Sequence, residues 1–255
     1  MKQRKRKTRV RTWVLIVVIV ISLLGVIYSA TNILIWCYNV ERNKEIREEI
    51  KEYVEEVKID DNISGVVSNN FKIDFKAVKE RNSDTVAYLA VNGLDISNFV
   101  VKTKDNSYYL NHNFDKQYST AGWIFADFHN KVSEKDKNII IYGHNTKNGS
   151  MFGTLKNIFN KEWYNNPENL TIKLVTESGE YKYQVFSTYA IKPEDYYINT
   201  DFKTEKEFRK FVEVLRKRST HNFNIDTSKT NQILTLSSCR KEGKERVVLH
   251  AMRLD

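Results

Sequence analysis

The sequence predicts a mainly β domain, either a barrel or a sandwich, with peripheral helices and a single membrane-spanning helix before it. Many short segments rich in Val, Ile, Tyr and Phe follow one another from Val86 to the C-terminus, separated by turn signals. The N-terminal region differs, because Thr12–Val40 carries no charged residue. The chain has 255 residues, of which 41% are hydrophobic, so it can build one domain with a real core and an appendage.

The uncharged N-terminal stretch predicts a membrane anchor, since about 20 apolar residues suffice to cross a bilayer. Trp13 lies at one end and Trp36 and Tyr38 lie at the other, where aromatic side chains suit the membrane interfaces. A cleaved secretory signal is the alternative. It fits less well, because the apolar region exceeds the usual ~7–15 residues and Tyr28 lies where a cleavage site needs a small residue.

The net charge of +9 belongs mainly to a basic tail before the anchor, which leaves +2 for the rest of the chain. The tail carries seven basic residues, Lys2, Arg4, Lys5, Arg6, Lys7, Arg9 and Arg11. We therefore expect no nucleic-acid partner. The cluster predicts a cytoplasmic N-terminus and an extracellular domain. The expected organisation is a tail (1–12), a transmembrane anchor (13–38), a helical segment (39–82) and a β domain (83–255) with an inserted helix (204–217).

Four further helices are predicted from apolar residues at helical spacing, Val40–Val57, Phe71–Asn82, Ser150–Asn160 and Thr204–Lys217. The first two are joined by a turn-rich connection, Asp60–Asn70. The last is the clearest, because Thr204 and Glu207 form a capping box ahead of its apolar face.

The strand-like segments end at turn signals such as Asn92-Gly93 and Ser178-Gly179. The Glu177–Glu180 link between two alternating runs predicts a hairpin. The predicted strands are Val86–Val91, Phe99–Val101, Tyr108–Leu110, Gly122–Phe125, Asn138–Tyr142, Leu170–Val175, Tyr181–Ala190, Gln232–Leu236 and Val247–Leu254.

A cysteine, a histidine and an arginine each lie at or beside the end of a predicted strand. Cys239 follows an apolar run, Arg246 opens the next run after a short turn, and His144 follows a third run earlier in the chain. Neighbouring strands would bring a thiol and a guanidinium together at one end of a sheet. These residue types can serve as nucleophile, oxyanion partner and proton carrier. An unpaired cysteine is also unusual in an exported domain, although a buried structural cysteine remains an alternative.

These motifs resemble those of sortases, the cysteine transpeptidases of Gram-positive cell walls. Thr235-Leu236-Ser237-Ser238-Cys239 is similar to the TLxTC signature of that family, with Ser238 in place of its threonine. Arg246 falls where the family has its essential arginine, and Tyr142–Asn145 matches the histidine region. Asn106–Phe114 and the helix before the cysteine strand are similar to class B members.

The resemblance implies a closed β-barrel and a thioacyl mechanism. Cys239 would be the nucleophile, His144 the general acid and base, and Arg246 the partner of the oxyanion or substrate carbonyl. The implied partners are secreted proteins with a C-terminal sorting signal, an amine of the lipid-linked peptidoglycan precursor and the cytoplasmic membrane, with no cofactor or metal. The residues expected to contact substrate are Asn145, Thr235, Leu236, Ser237, Ser238, Tyr196, Tyr197 and Ile198. More broadly, substrate side chains are expected to lie against the segment Tyr189–Asp201 and the helix after it.

Other assignments stay open at this point. The alternatives are a pilin-polymerising sortase, a hydrolytic cysteine protease and a membrane-tethered binding module without turnover. His250 is the main rival of His144 because it lies in an apolar strand, and Arg240 and Arg253 compete with Arg246. The remaining histidines have no comparable setting and are expected to be structural or on the surface, namely His112, His129 and His221. No zinc or calcium spacing and no Gly-rich phosphate loop occurs in the sequence.

Overall fold

The computed structural model describes the backbone of residues 2–60, 67–240 and 244–254, and the side chains of residues 11–56, 71–238 and 244–254. The chain forms two compact units, Met1–Arg42 and Asn43–Asp255. Helix α1 (Lys2–Ile50) supplies the first unit, in which large apolar side chains such as Ile21 and Leu24 are exposed. By length and hydropathy alone, α1 contains one segment able to cross a membrane.

The second unit is built around a closed barrel of eight strands. The strands are β3 (Thr85–Val91), β4 (Ile96–Val101), β5 (Phe125–Ala126), β6 (Asn138–Gly143), β7 (Thr171–Thr176), β8 (Gly179–Ile191), β9 (Ile233–Arg240) and β10 (Glu245–Arg253). Their order around the barrel is β10-β8-β7-β3-β4-β5-β6-β9, and β9 pairs with β10 to close it. The β4–β5 and β6–β9 pairs are parallel and the others antiparallel. The predicted barrel is therefore confirmed.

Aliphatic strand residues fill the barrel. Ile141, Leu234 and Leu249 are fully buried, and they belong to a core that also includes aromatic residues such as Phe99 and Trp123. Most of β6 is buried on both faces, because other segments cover its outer side. A strand buried on both faces has an unbroken apolar sequence, as Ile139–Ile141 does.

The predicted inserted helix is confirmed as α4 (Glu205–Lys217), which covers the outside of the barrel. Phe208, Val212 and Leu215 form a second apolar cluster with residues of β8, β9 and β10, namely Phe186, Tyr189, Ile233 and Val248. Thr204 caps the helix by accepting a hydrogen bond from the Glu207 amide at 3.2 Å. The Glu207 carboxylate accepts from the Lys203 amide at 3.0 Å, one residue earlier than the capping box predicts.

The segment before the barrel differs from the prediction. Helix α1 ends at Ile50, a 3-10 turn covers Lys51–Tyr53, and β1 (Val54–Asp60) pairs with β2 (Val67–Ile73). The predicted helix is therefore wrong beyond Ile50. The predicted connection Asp60–Asn70 is also wrong where it is described, because Asp60 belongs to β1 and Val67–Asn70 to β2, and residues 61–66 lie outside the described residues. Helix α2 covers only Phe75–Arg81, because the Asp74 carboxylate caps its start by accepting from the Ala77 amide at 2.9 Å.

Three other predictions are corrected. Tyr108–Leu110 is a 3-10 turn, and the strand predicted over Gly122–Phe125 is only Phe125–Ala126. The helix predicted over Ser150–Asn160 is a 3-10 turn, Leu155–Phe159, followed by the short α3 (Lys161–Tyr164). In each case tertiary packing buries aromatic or apolar residues, such as Tyr109, Trp123 and Ile158, outside the element that was predicted. The hairpin of β7 and β8 is confirmed, with Thr176 opposite Gly179.

Candidate active site

The hairpin of β9 and β10 brings Cys239 and Arg246 together. In its antiparallel register Arg246 lies directly opposite Cys239, and Glu245 lies opposite Arg240. Residues opposite each other in an antiparallel pair have Cα atoms about 4.5–5.5 Å apart. The two residues therefore meet at the end of the barrel where the hairpin turns.

The parallel pair of β6 and β9 brings His144 to the same end. Gly143, the last residue of β6, is the partner of Ser238 in β9, and the two strands run in the same direction. His144 and Cys239 are the residues that follow this pair. His144, distant in sequence from the other two residues, thus joins Cys239 and Arg246 at one rim of the barrel. The closure of the barrel through β9 is what gathers them.

The backbone after β6 holds His144 in place. Its ring Nε2 lies 2.7 Å from the carbonyl oxygen of Leu110, and its own carbonyl accepts from the Phe152 amide at 3.0 Å. The residue before it must be glycine in this packing, since a Cβ on Gly143 would lie 2.7 Å from the Phe152 ring. Phe152 is fully buried, so the ring cannot easily move aside.

A cleft of about 280 Å³ opens beside these residues. His144 and Arg246 both line it, together with Ser237 from the cysteine strand. Its remaining walls come from loops and from strands β5 and β6, and are formed by Asn106, Leu110, Phe125, Tyr142, Gly143, Pro193, Glu194, Asp195, Tyr197 and Ile198. A concave, largely apolar site with a few convergent polar groups is typical of a substrate site.

One wall of the cleft rests on the buried carboxylate of Asp127. The Tyr142 hydroxyl donates to it at 2.9 Å and the Asn106 amide donates to it at 2.8 Å. Burial opposes ionisation of Asp127, but hydrogen bonds from His129, Asn106 and Tyr142 outweigh it and lower the pKa of the carboxyl. Burial, together with the charge of Asp127, raises the pKa of Tyr142, so this hydroxyl stays protonated and keeps donating.

Only some of the residues expected to contact substrate line the cleft. Tyr197, Ile198 and Ser237 line the cleft. Thr235 and Leu236 are fully buried, so they present no surface to a substrate, and Ser238 is only 1% exposed. Asn145 forms a bridge to Met151, and Tyr196 lies beneath the guanidinium of Arg218. Neither is among the cleft-lining residues.

Several cleft residues were missed by the sequence analysis. They come from a loop without a motif of its own and include Asn106 and Leu110, whereas Pro193, Glu194 and Asp195 lie in the segment Tyr189–Asp201 that was expected to lie against the substrate. Asn106 and Leu110 lie within a segment that resembles class B sortases, which is the one signal that could have indicated them.

Two of the rival residues, His250 and Arg253, have other settings, and the side chain of Arg240 lies outside the described residues. His250 is fully buried, and its ring bonds the Tyr189 hydroxyl at 2.7 Å and the Thr235 hydroxyl at 2.9 Å. Burial lowers its pKa to about 3, so it is neutral at ordinary pH. Arg253 pairs with Glu134 at 2.8 Å and lies over the Tyr181 ring. Both residues are therefore explained by contacts outside the cleft.

The remaining histidines also have structural contacts. His112 stacks on Tyr108 and bonds its carbonyl oxygen at 2.7 Å, and His129 pairs with Asp127 at 2.8 Å. His221 stacks on Tyr164. Within the described part of the chain, no group of three or more His, Cys, Asp or Glu residues could hold a metal ion.

Comparison with known proteins identifies the family. The Sortase domain family matches residues 89–254, and the chain is 30% identical over 220 residues to the sortase B of Listeria monocytogenes, covering 86% of this chain and 87% of that one. The chain belongs to the sortase family. The sortase also superimposes on the solved sortase B of B. anthracis with a TM-score of 0.71 at 30% identity, covering 86% of this chain and 99% of that chain.

A third similar protein is a Staphylococcus aureus sortase B solved as a substrate complex. It is 30% identical with a TM-score of 0.65, and the match covers 71% of this chain and 84% of that chain. Because these relatives and structural neighbours are sortase B enzymes, the resemblance to class B is confirmed. The sortase is a cysteine transpeptidase of this type.

Proposed function

We propose that this sortase cleaves a C-terminal sorting signal of secreted proteins and transfers the new acyl end to an amine of the cell-wall precursor. In this proposal Cys239 is the nucleophile, His144 the general acid and base, and Arg246 the cation that binds the substrate carbonyl. One observation carries the proposal. Arg246 lies opposite Cys239 on paired strands, and Arg246 and His144 line the same cleft.

The first half-reaction forms a thioacyl enzyme. The thiolate of Cys239 attacks the carbonyl carbon of the scissile peptide bond, and an S–C bond forms. The C–N bond then breaks, and His144 gives a proton to the departing amine. In the second half, the acceptor amine attacks the thioester and loses its proton to His144. A C–N bond forms, the S–C bond breaks, and the thiolate is regenerated.

The hydrogen bond of His144 decides which ring nitrogen moves the proton. A carbonyl oxygen only accepts, so the Nε2 that lies 2.7 Å from the Leu110 carbonyl carries a hydrogen. We therefore assign the exchanged proton to Nδ1. The Leu110 bond remains in both protonation states of the ring, and it keeps the ring in one orientation through both half-reactions.

Arg246 suits the oxyanion because its guanidinium stays charged throughout the cycle. As the tetrahedral intermediate forms, the carbonyl oxygen gains negative charge, and a cation already in position stabilises that charge without reorganising. The register that sets Arg246 opposite Cys239 supports this role.

The membrane anchor fits a transpeptidase that acts on exported proteins. The long apolar helix, the basic residues before it and the catalytic domain after it support a single-pass protein with a cytoplasmic N-terminus. Such an enzyme would be held where secreted substrates emerge and where the lipid-linked precursor is displayed. We place the barrel outside the cell for this reason.

The proposal is tested with the purified full chain in detergent micelles, comparing the wild type with Cys239→Ala. Each is incubated with a library of fluorogenic sorting-signal peptides, with and without triglycine, the peptide with which one similar solved sortase B is complexed. We expect cleavage by the wild type, amine-linked product with triglycine, and loss of both in Cys239→Ala.

The other outcomes identify the alternatives. Hydrolysed product alone, whatever the amine, would indicate a cysteine protease. Transfer to a lysine side chain in preference to triglycine would indicate a pilin-polymerising sortase. Cleavage that is undiminished in Cys239→Ala would contradict the assigned nucleophile, and absence of turnover with every peptide would favour a binding module.

A further inference from the structure

A chain of buried hydrogen bonds crosses four elements on the side of the barrel next to the cleft. The Tyr189 hydroxyl lies 2.7 Å from His250 Nε2, and His250 Nδ1 lies 2.9 Å from the Thr235 hydroxyl. The Thr235 hydroxyl donates to the Asn138 side-chain oxygen at 2.7 Å. These residues belong to β8, β10, β9 and β6 in that order, and none is more than 4% exposed.

The last member of this chain holds a segment of the cleft wall. The side-chain amide of Asn138 lies 3.2 Å from the carbonyl oxygen of Tyr197 and 2.9 Å from that of Asn199. Tyr197 and Ile198 line the cleft. The Tyr197 hydroxyl also lies 2.9 Å from the Ser237 hydroxyl, two residues before Cys239 in the same strand.

The partners fix the direction of each bond along the chain from Asn138 to Tyr189. Carbonyl oxygens only accept, so the NH2 of Asn138 faces Tyr197 and Asn199, and its oxygen faces Thr235. The Thr235 hydroxyl gives its hydrogen to that oxygen and must accept from His250 Nδ1. His250 Nε2 is then unprotonated and accepts from Tyr189. Only one arrangement of hydrogens satisfies Asn138, Thr235, His250 and Tyr189 together.

The arrangement is also insensitive to ordinary changes of pH. His250 is fully buried, and burial lowers its pKa to about 3. No described ionisable side chain other than Tyr189 bonds the ring, so neutral His250 keeps one tautomer. A buried network in which every member is satisfied is rigid and specifies a unique geometry.

We propose that Asn138 is a positioning residue for substrate binding, oriented by Thr235 and His250, and that its amide holds the Tyr197–Asn199 segment in the shape that accepts the sorting-signal peptide. The inference rests on the proposed function, since it assigns this wall to the peptide substrate. We expect the loss of Asn138 to weaken substrate binding and not to slow bond cleavage. Asn138 lies at the start of β6, whereas His144 follows the end of that strand.

The primary variant is Asn138→Asp, which keeps the shape and replaces the two donated hydrogen bonds by an oxygen that faces two carbonyls. Asn98→Asp is the matched control. Asn98 is 2% exposed in β4, and its amide has no hydrogen-bond partner within the described part of the chain. It reports the general cost of placing an aspartate in a buried barrel strand.

Two readouts are taken on the full chain in micelles. Hydrogen exchange of residues 193–199 needs no turnover, and we expect exchange about tenfold faster in Asn138→Asp and unchanged in Asn98→Asp. For the library peptide that the wild type cleaves fastest, we expect Asn138→Asp to raise KM about tenfold with kcat within about threefold.

A second pair of variants covers the case in which Asn138→Asp does not fold. Thr235→Val removes the hydroxyl that orients Asn138, and we expect KM to rise about threefold. Thr235→Ser restores the hydroxyl, and it should restore KM toward the wild-type value. A purely structural role of Thr235 would instead lower the melting temperature of Thr235→Val without changing KM.

Each outcome bears on the inference separately from the proposed function. Unchanged exchange of residues 193–199 in Asn138→Asp would overturn the positioning role, whatever the peptide does. A loosened segment with unchanged KM, or a fall in kcat alone, would overturn its link to substrate binding. A wild type that cleaves no peptide and shows no peptide binding would overturn the proposed function, and the exchange result would still decide whether Asn138 holds the segment.

Discussion

At the scale of single residues, Arg246 is the group whose chemistry is most specific. Its planar guanidinium can direct two N–H groups at one oxygen, whereas the ammonium of lysine is a compact, strongly hydrated charge. We expect Arg246→Lys to lower kcat/KM by about 10- to 100-fold, because the charge remains but its fixed geometry is lost. The rate is measured with the preferred peptide and triglycine.

A matched control lies in the same strand. Arg253 pairs with Glu134 outside the cleft, so Arg253→Lys should leave kcat/KM within about twofold of the wild type. Equal losses of kcat/KM in both variants would mean that the two arginines of β10 act only through the stability of the fold. Such a result would remove the assigned role of Arg246.

His250 predicts a pH dependence of stability. Its folded pKa of about 3 lies below the value of about 6.5 in the unfolded chain. The contribution of neutral His250 to the free energy of unfolding is fully present above pH 6.5. Between pH 6.5 and 3 the unfolded chain binds a proton that the folded chain does not, so the free energy of unfolding falls by up to about 1.4 kcal/mol per pH unit.

The measurement compares the melting temperature of the wild type with that of His250→Gln from pH 8 to pH 4. The wild type should lose about 3–6 °C per pH unit more than the variant below pH 6.5, since 1 kcal/mol corresponds to about 2–4 °C at this size. Parallel curves for the two proteins would contradict the burial of a neutral His250.

The sequence alone predicted the candidate site residues that lie in its motifs. It missed cleft residues that only the tertiary fold brings to the site. Cys239 and Arg246 are close in sequence across one turn, so their approach follows from a hairpin. Asn106 and Leu110 line the cleft from the segment between β4 and β5, which carries no catalytic motif. Thr235 was expected to contact substrate because it lies in the signature, whereas it is buried.

At the scale of elements, helix α4 shows how a local signal and tertiary packing agree. The Thr204 hydroxyl caps the helix and determines where it begins. The apolar face of the helix packs on three strands and determines where the helix lies. We expect Thr204→Ala to lower the free energy of unfolding by about 1 kcal/mol and the melting temperature by about 2–4 °C.

Thr204→Ser is the control for this prediction, because it keeps the hydroxyl that accepts from the Glu207 amide. Its melting temperature should remain within about 1 °C of the wild type. An alanine variant as stable as the serine variant would show that packing alone fixes the start of α4. Thermal unfolding followed by circular dichroism separates the two cases.

Val54–Val57 shows where local pattern was insufficient. Ile50, Tyr53, Val54 and Val57 have helical spacing, but Val54 and Val57 pair with Ile73 and Asn70 in a two-stranded sheet. β-branched residues suit either structure in a short window, and the partner strand decides. That partner begins at Val67, beyond the reach of a local signal.

At the scale of the whole molecule, the proposed topology predicts the accessibility of the barrel in cells. Protease added outside intact protoplasts should digest the catalytic domain while a cytoplasmic marker survives. Replacing the seven basic tail residues by glutamine should lower the fraction in this orientation, because the positive charges retain the tail in the cytoplasm. A barrel that is protected in intact protoplasts and digested only after lysis would contradict the topology.

The closed barrel explains why the whole site could not be derived from sequence. Barrel closure places β6 beside β9, although residues 144–232 lie between them in the chain. The apolar runs predict strands, but the order of strands around a barrel depends on packing among all of them. The family resemblance implied a closed barrel, but neither it nor the composition gave the order of the strands.

The central claim is that Cys239 forms the thioacyl intermediate, and the direct measurement is to trap it. The wild-type full chain is incubated with the preferred peptide without amine, quenched in acid, digested and analysed by mass spectrometry. We expect the acyl fragment on the peptide that contains Cys239, its release as amine-linked product on addition of triglycine, and no adduct in Cys239→Ala. An acyl group on another residue, or turnover that continues in Cys239→Ala, would contradict the claim.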